Sequence, residues 1–306
     1  MAVGLAVSYW AAGLSLDLWS GWQILILLPL CFLVAWYYRY RRIDPWISAG
    51  AGAAAQLTLI LLLGTLLSYA AAAPAFPYRD AELYAADRAL GFDWRSYLAF
   101  FNAHPIAGSI GNIAYFSMKL QIPLILIVLV ATSRIVKLQQ FVIATAASLA
   151  ITLAVFVFVP AVAYYAYLGI HPSDFSNLTP STPYAHIRHL EEIRSGLVRV
   201  VRFNDLEGLI TFPSFHTVSA LLYAWALWPI RRLRWPAVVV NVLMIASTPI
   251  DGAHYAIDII GGIVVAVVAI GLATRVRYPA TTKAGSPVRD TGAPIAHEPS
   301  LSSGPV

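Results

Sequence analysis

The sequence predicts an all-α polytopic membrane protein, a membrane helical bundle. Three observations carry that expectation. Only 11% of the 306 residues are charged while 59% are hydrophobic, the mean hydropathy is +0.71, and the apolar residues run in long blocks rather than in alternation. A soluble domain carries about 25% charged residues, so this chain has too few to cover a water-facing surface. Blocks of about 20 apolar residues are long enough to cross a bilayer core as helices.

Taken in order, residues 1–21 contain no basic residue ahead of the first apolar stretch, which is unlike a secretory signal. They read as an interfacial segment anchored by Trp10, Trp19 and Trp22. Seven spans follow, at roughly 22–38, 48–73, 106–133, 140–168, 211–230, 235–252 and 254–275. Lys119, Gln121 and Pro123 interrupt the third, which is either one kinked helix or two short ones. Between the second and third spans, Tyr84 to Phe101 has the spacing of a short amphipathic helix lying in the interface. Tyr184 to Asn204 is the most charged stretch. From Thr281 the chain is rich in Pro, Ser, Gly and Thr and cannot bury enough apolar surface to fold. The expected organisation is therefore N-terminal membrane spans over 1–73, a second membrane domain over 74–275, and a disordered cytoplasmic tail over 276–306. No internal repeat is visible.

The net charge of +5 resides in short clusters beside the apolar blocks: Arg39, Arg41 and Arg42; Arg134 and Lys137; Arg231, Arg232 and Arg234; Arg275 and Arg277. This is the pattern of topogenic positive charge. It lacks the basic face with interleaved aromatics that would track a nucleic acid. One assignment puts every cluster inside. It requires 106–133 to cross once, and it leaves 74–105 and 169–210 outside. Cys31 is the only cysteine, so no intrachain disulfide forms.

Ionisable residues at the ends of apolar helices are costly unless partnered or functional, and two places hold them. In Thr211-Phe-Pro213-Ser214-Phe215-His216-Thr217, Pro213 suits a first helical turn that Ser214, His216 and Thr217 then open. Unpaired N–H groups there favour an anion, and a histidine beside it can donate a proton. In Asp251-Gly-Ala-His254-Tyr-Ala-Ile-Asp258, the histidine and aspartate are four apart and would share a helix face. An aspartate bonded to one ring nitrogen makes the other a better nucleophile. The topology puts His216 and His254 on the same outer face. Other uses of these residues remain open: a satisfied polar pair, an interfacial anchor, or a zinc ligand set, although no HExxH-like spacing accompanies them. His186 and His189 have i,i+3 spacing without further metal-ligand support. His104, His171 and His297 have no readable partner.

Pro213-Ser214-Phe215-His216, followed by His254-x-x-x-Asp258 and Gly261-Gly262, resembles the type-2 phosphatidic acid phosphatase superfamily. Ser247, seven before His254, stands where the family's third signature has its serine. The resemblance covers about 74–275. Phe215, the Leu90-Gly-Phe-Asp-Trp94 run and Gly208-Leu-Ile-Thr-Phe-Pro-Ser-Phe-His216 look most like the inositol phosphorylceramide synthase-like branch. The resemblance implies a six-helix core plus about one extra N-terminal span, and a metal-independent and cofactor-free displacement on a lipid phosphate or diphosphate. His254 would attack phosphorus, Asp258 would orient it, and His216 would protonate the leaving oxygen. Two departures accompany it. Thr248 stands at the third signature's arginine, and no Lys-x6-Arg-Pro first signature is present. Developing phosphoryl charge needs donors, so Ser214, Arg194 and Arg202 are the expected phosphate-binding residues, with Arg199 nearby and Lys119 able to contribute if its span bends toward the site. The natural setting is an integral membrane protein of a bacterial inner membrane with its site facing the periplasm. Two rivals are kept: a proton-coupled transporter, which predicts mid-membrane charges and paired broken helices, and an inactive structural homologue.

Overall fold

The computed structural model describes residues 2–171, 174–178 and 181–276; the tail expected to be disordered falls almost wholly outside them. The chain opens with α1 (Ala2–Ala12), a short strand β1 (Ser15–Asp17) and a 3₁₀ turn over Leu18–Gly21. Trp10 and Trp19 are exposed there, as an interfacial anchor requires. α2 (Trp22–Tyr40) buries none of its residues and lies against α3 (Pro45–Ala72). A helix apolar on every side yet uncovered by protein is a lipid-facing span. α3 starts sharply because Asp44 accepts from the N–H groups of Trp46 and Ile47, with Pro45 at the first helical position.

The expected single amphipathic helix is two, α4 (Asp80–Ala89) and α5 (Trp94–Ala103), because Gly91 takes a left-handed φ of +77° between them. Next come α6 (Pro105–Phe116) and α7 (Met118–Ala131), which meet at a 51° bend. The break lies at Ser117, not at Pro123. Ser117 Oγ donates to the Ala114 carbonyl and accepts from the Gln121 amide, whose oxygen in turn takes a hydrogen bond from Asn241. A side chain bonding into the helical ladder in this way is a known cause of kinks.

α8 (Ile135–Phe158) is shorter than the expected fourth span, and the chain beyond it turns into a single-turn helix, α9 (Tyr164–Tyr167). The charged stretch forms α10 (Ser181–Ser195) and strand β2 (Val200–Arg202), which pairs in parallel with β1. The last three spans are α11 (Phe215–Leu227), α12 (Arg234–Gly252) and α13 (Ala256–Arg275). Among the described residues five helices are long and apolar enough to cross a membrane, or six if the α6–α7 pair counts as one span. α11 is apolar but has only 13 residues. This is an all-α helical bundle of an integral membrane protein.

Its main apolar cluster draws on α3, α7, α8, α11, α12 and α13, with Leu57, Leu129, Phe141 and Leu222 almost fully buried. A second, aromatic cluster holds Trp94, Tyr164 and Tyr255 beneath α4 and α5. Trp94 stacks on Tyr164 with centroids 3.8 Å apart. That second cluster sits where α12 ends and α13 begins, beside the two histidines.

Candidate active site

His216 occupies the second residue of α11. Ser214, rather than a residue inside the helix, is the N-cap: its hydroxyl accepts from the Thr217 N–H at 3.3 Å. Pro213 therefore precedes the helix instead of forming its first turn. The Ser214 N–H is also committed, donating to the Asp258 carbonyl at 3.0 Å. This bond ties the start of α11 directly to the start of α13. Gly262 lets the two helices approach, since a Cβ there would meet the Ser214 carbonyl and the Thr217 side chain.

His254 and Asp258 do meet, although not as neighbours on one helix face. α12 stops at Gly252, Ala253 takes a left-handed φ of +57°, and His254 lies in the turn before α13. Asp258 reaches back from the first turn of α13. Its Oδ2 accepts from the Tyr255 N–H at 2.9 Å and contacts His254 Nδ1 at 3.2 Å. A carboxylate only accepts, so this contact favours the ring proton on Nδ1. Both residues are buried, at 2% and 0% exposure.

The His216 and His254 rings meet edge to face, with centroids 5.7 Å apart and planes inclined at 64°. Tyr115, on α6, stacks on His216 at 4.5 Å and fixes its plane. Both histidines line a cavity of about 460 Å³, together with Tyr115, Lys119, His186, Glu207 and, from α3, Leu61, Gly64 and Thr65. Ile122, Leu149, Phe215 and Ile210 supply apolar wall. A mostly apolar cavity with a few convergent polar groups is the usual form of a small-molecule site.

The structure thus brings together His216, His254 and Asp258 and places Ser214 next to them as a helix cap. It does not bring Arg194 or Arg202 to this cavity. Arg194 donates to the Phe76 carbonyl at 2.7 Å and lies 3.9 Å over the Tyr78 ring. Arg202 sits on β2, 3.9 Å from the Asp17 carboxylate. Arg199 donates to the Ala12 carbonyl. Sequence position before span five led to these arginines, but β2 and α10 direct them to the N-terminal segment and the outer loops. Lys119 is the cation that reaches the cavity instead, because the bend at Ser117 turns the start of α7 toward the histidines. Thr248, at the position of the missing arginine, turns its hydroxyl to the Met244 carbonyl inside α12.

Several residues at this site carry no local sequence signal. Tyr115 is an aromatic in an apolar helix, and His186 lies far from either motif. A lysine inside an apolar span is itself a signal, and Lys119 could have been ranked above the arginines on that ground.

Two buried carboxylates support the turn that carries His254. Asp87 accepts from the Ala256 and Ile257 N–H groups at 2.9 and 2.8 Å and from Trp94 Nε1 at 2.9 Å. Asp80 accepts from the Val162 and Ala163 N–H groups and from the Tyr255 hydroxyl. Burial raises both carboxyls above the ordinary range, against the pull of these hydrogen bonds.

A family model described as PAP2 superfamily matches residues 81–272. No curated protein and no solved structure gives a significant match.

Proposed function

The chain belongs to the PAP2 superfamily, and from that premise we propose that it is a membrane-embedded lipid phosphatase or phosphotransferase working through a phosphohistidine on His254. The observation that carries this reading is the His254–Asp258 contact at 3.2 Å with the His216 ring 5.7 Å from that of His254 at one cavity. Asp258 keeps the His254 proton on Nδ1, which leaves Nε2 as the attacking lone pair. Phosphorus bonds to Nε2 as the ester oxygen leaves, and His216 delivers the proton that this oxygen needs. In the second half-reaction His216 takes a proton from the incoming water or alcohol, whose oxygen displaces Nε2.

Charge on the phosphoryl oxygens requires donors. Lys119 supplies a cation, and the Phe215 and His216 N–H groups at the start of α11, which the Ser214 hydroxyl does not engage, add a positive dipole end. A site among membrane helices favours a lipid phosphate or diphosphate. The likeness of the 90–94 and 208–216 segments to the inositol phosphorylceramide synthase branch favours transfer of inositol phosphate to a lipid alcohol over plain hydrolysis. The positive-inside pattern supports a site that opens outward, to the periplasm of a bacterial inner membrane.

Purified full-length protein, incubated with a panel of labelled lipid phosphates with and without a chelator, tests the reading. Turnover that survives chelator and vanishes in His254→Ala is the expected result. Turnover that chelator abolishes would replace phosphohistidine chemistry with metal chemistry. If no ester reacts and His254→Ala changes nothing, the enzyme reading falls.

A further inference from the structure

A third histidine lines the same cavity, and neither motif includes it. His186, on α10, is 7% exposed. Its Nδ1 lies 2.9 Å from the Gly208 carbonyl oxygen. A carbonyl can only accept, so this bond exists only with a proton on Nδ1. Burial pushes the ring's pKa down to about 4, so at neutral pH it carries that one proton and no other. Nε2 is then a lone-pair acceptor, and it is buried without a partner among the described residues. A buried acceptor left unpaired is costly, so a cavity ligand that donates to it gains a hydrogen bond there.

The donor is not an ionised phosphate, whose oxygens also carry only lone pairs. Resting on the phosphate-ester reading above, we propose that His186 is a specificity-determining residue that accepts a hydrogen bond from a hydroxyl of the bound substrate. What occupies this cavity, ester or acceptor, therefore carries an alcohol group besides the reacting oxygen. That hydroxyl is not the reacting one. A hydroxyl has a single proton, and the oxygen that exchanges a proton with His216 has none left for His186. Two histidines thus divide the work: His216 meets the reacting oxygen, and His186 meets a second oxygen that stays intact. A site built to accept from a hydroxyl discriminates against the analogue that lacks it, because the buried acceptor is then left unpaired.

The hydroxyl can belong to the phosphate ester or to a separate acceptor alcohol, and two experimental arms separate these sources. Both use the full chain in nanodiscs with His254→Asn, so that the ester is not consumed. In the first, binding of 1-oleoyl lysophosphatidic acid is compared with that of its 2-deoxy counterpart. The hydroxyl form is expected to bind about 3- to 10-fold more tightly, the worth of one net hydrogen bond. Adding His186→Phe should bring the ratio to one, while His186→Gln, which keeps an acceptor, should preserve part of it. In the second, glycerol is added to the 2-deoxy ester. If the alcohol is a separate molecule, glycerol tightens binding in the His186 protein alone.

A preference in either arm that depends on His186 supports the assignment. No preference in both arms, or an unchanged preference in His186→Phe and His186→Gln, overturns it and leaves His186 as a structural residue. Histidine ¹⁵N spectra give a check independent of any ligand: an Nε2–H signal from His186 at neutral pH contradicts the acceptor role. Because these arms read binding and tautomer, they stand whether or not His254 proves to be a nucleophile.

Discussion

At the scale of the residue, the site contrasts groups whose partners are built in with groups that await one. Asp258 and Ser214 are committed: one orients His254, and the other caps α11 and ties it to α13. Lys119 is an exposed side chain at the edge of the histidine cavity. If it meets the phosphoryl oxygens, Lys119→Met should lower kcat/KM on lipid phosphates by about 10²- to 10³-fold, the usual loss for one transition-state donor. Lys119→Arg should recover part of it. Arg194→Met, which removes a contact to the Phe76 carbonyl away from the cavity, should leave kcat/KM within a few-fold. The reverse ranking in a steady-state assay would return the arginines to the site. The histidines and Asp258 were legible because each stands in a motif with fixed spacing. Lys119 was legible as a lysine in an apolar span, but its nearness depends on the bend at Ser117; His186 was not legible, since its place depends on the path of α10, which no local pattern encodes.

At the scale of the element, the decisive piece is the junction between α12 and α13. Spacing alone suggested that His254 and Asp258 share a helix face, but the helix breaks between them and Asp258 reaches backward across the N-terminus. Such a turn needs external support. Tyr164 and Tyr165 donate to the Pro249 and Ile250 carbonyls, which belong to the last turn of α12 and lack helical partners. Asp87 accepts from two of the first free N–H groups of α13. One element thus satisfies the end of α12 and another the start of α13, and His254 is held between them. Removing Asp87 leaves three donors without an acceptor in a buried setting. Asp87→Ala should therefore destabilise the fold by about 2–4 kcal/mol and lower its thermal midpoint in detergent. Activity should fall at temperatures where the bundle is still folded, because the His254 turn loosens first. An unchanged midpoint together with unchanged turnover would show that α4 does not brace the site. The Leu90–Trp94 segment gains a physical meaning here, since Trp94 donates to Asp87 and stacks on Tyr164.

At the scale of the whole molecule, most of the span pattern was legible, because length and hydropathy register directly in composition. The N-terminal helices were harder to place. α3 precedes the matched segment 81–272, yet Leu61, Gly64 and Thr65 line the cavity, so part of the site's wall comes from outside the family-defining core. Long-range packing of this kind leaves no periodic trace in sequence. What composition does fix is charge asymmetry, and it makes a prediction about sidedness. The Arg231, Arg232 and Arg234 cluster follows α11, whose other end carries His216. With basic residues held inside, the histidine cavity opens outward and the exposed Leu197, just beyond α10, lies outside. Cys31 is the only cysteine, so Cys31→Ser gives a background free of thiols. In intact cells, Leu197→Cys in that background should react with a membrane-impermeant maleimide. Arg232→Cys should react only after the membrane is opened. Labelling of both in intact cells would mean that α11 does not cross, consistent with its short 13 residues; labelling of neither until the membrane is opened would put the site inside, and the outward-facing site would have to be abandoned. Labelling of Arg232→Cys alone in intact cells would invert the molecule and place the phosphate chemistry in the cytoplasm.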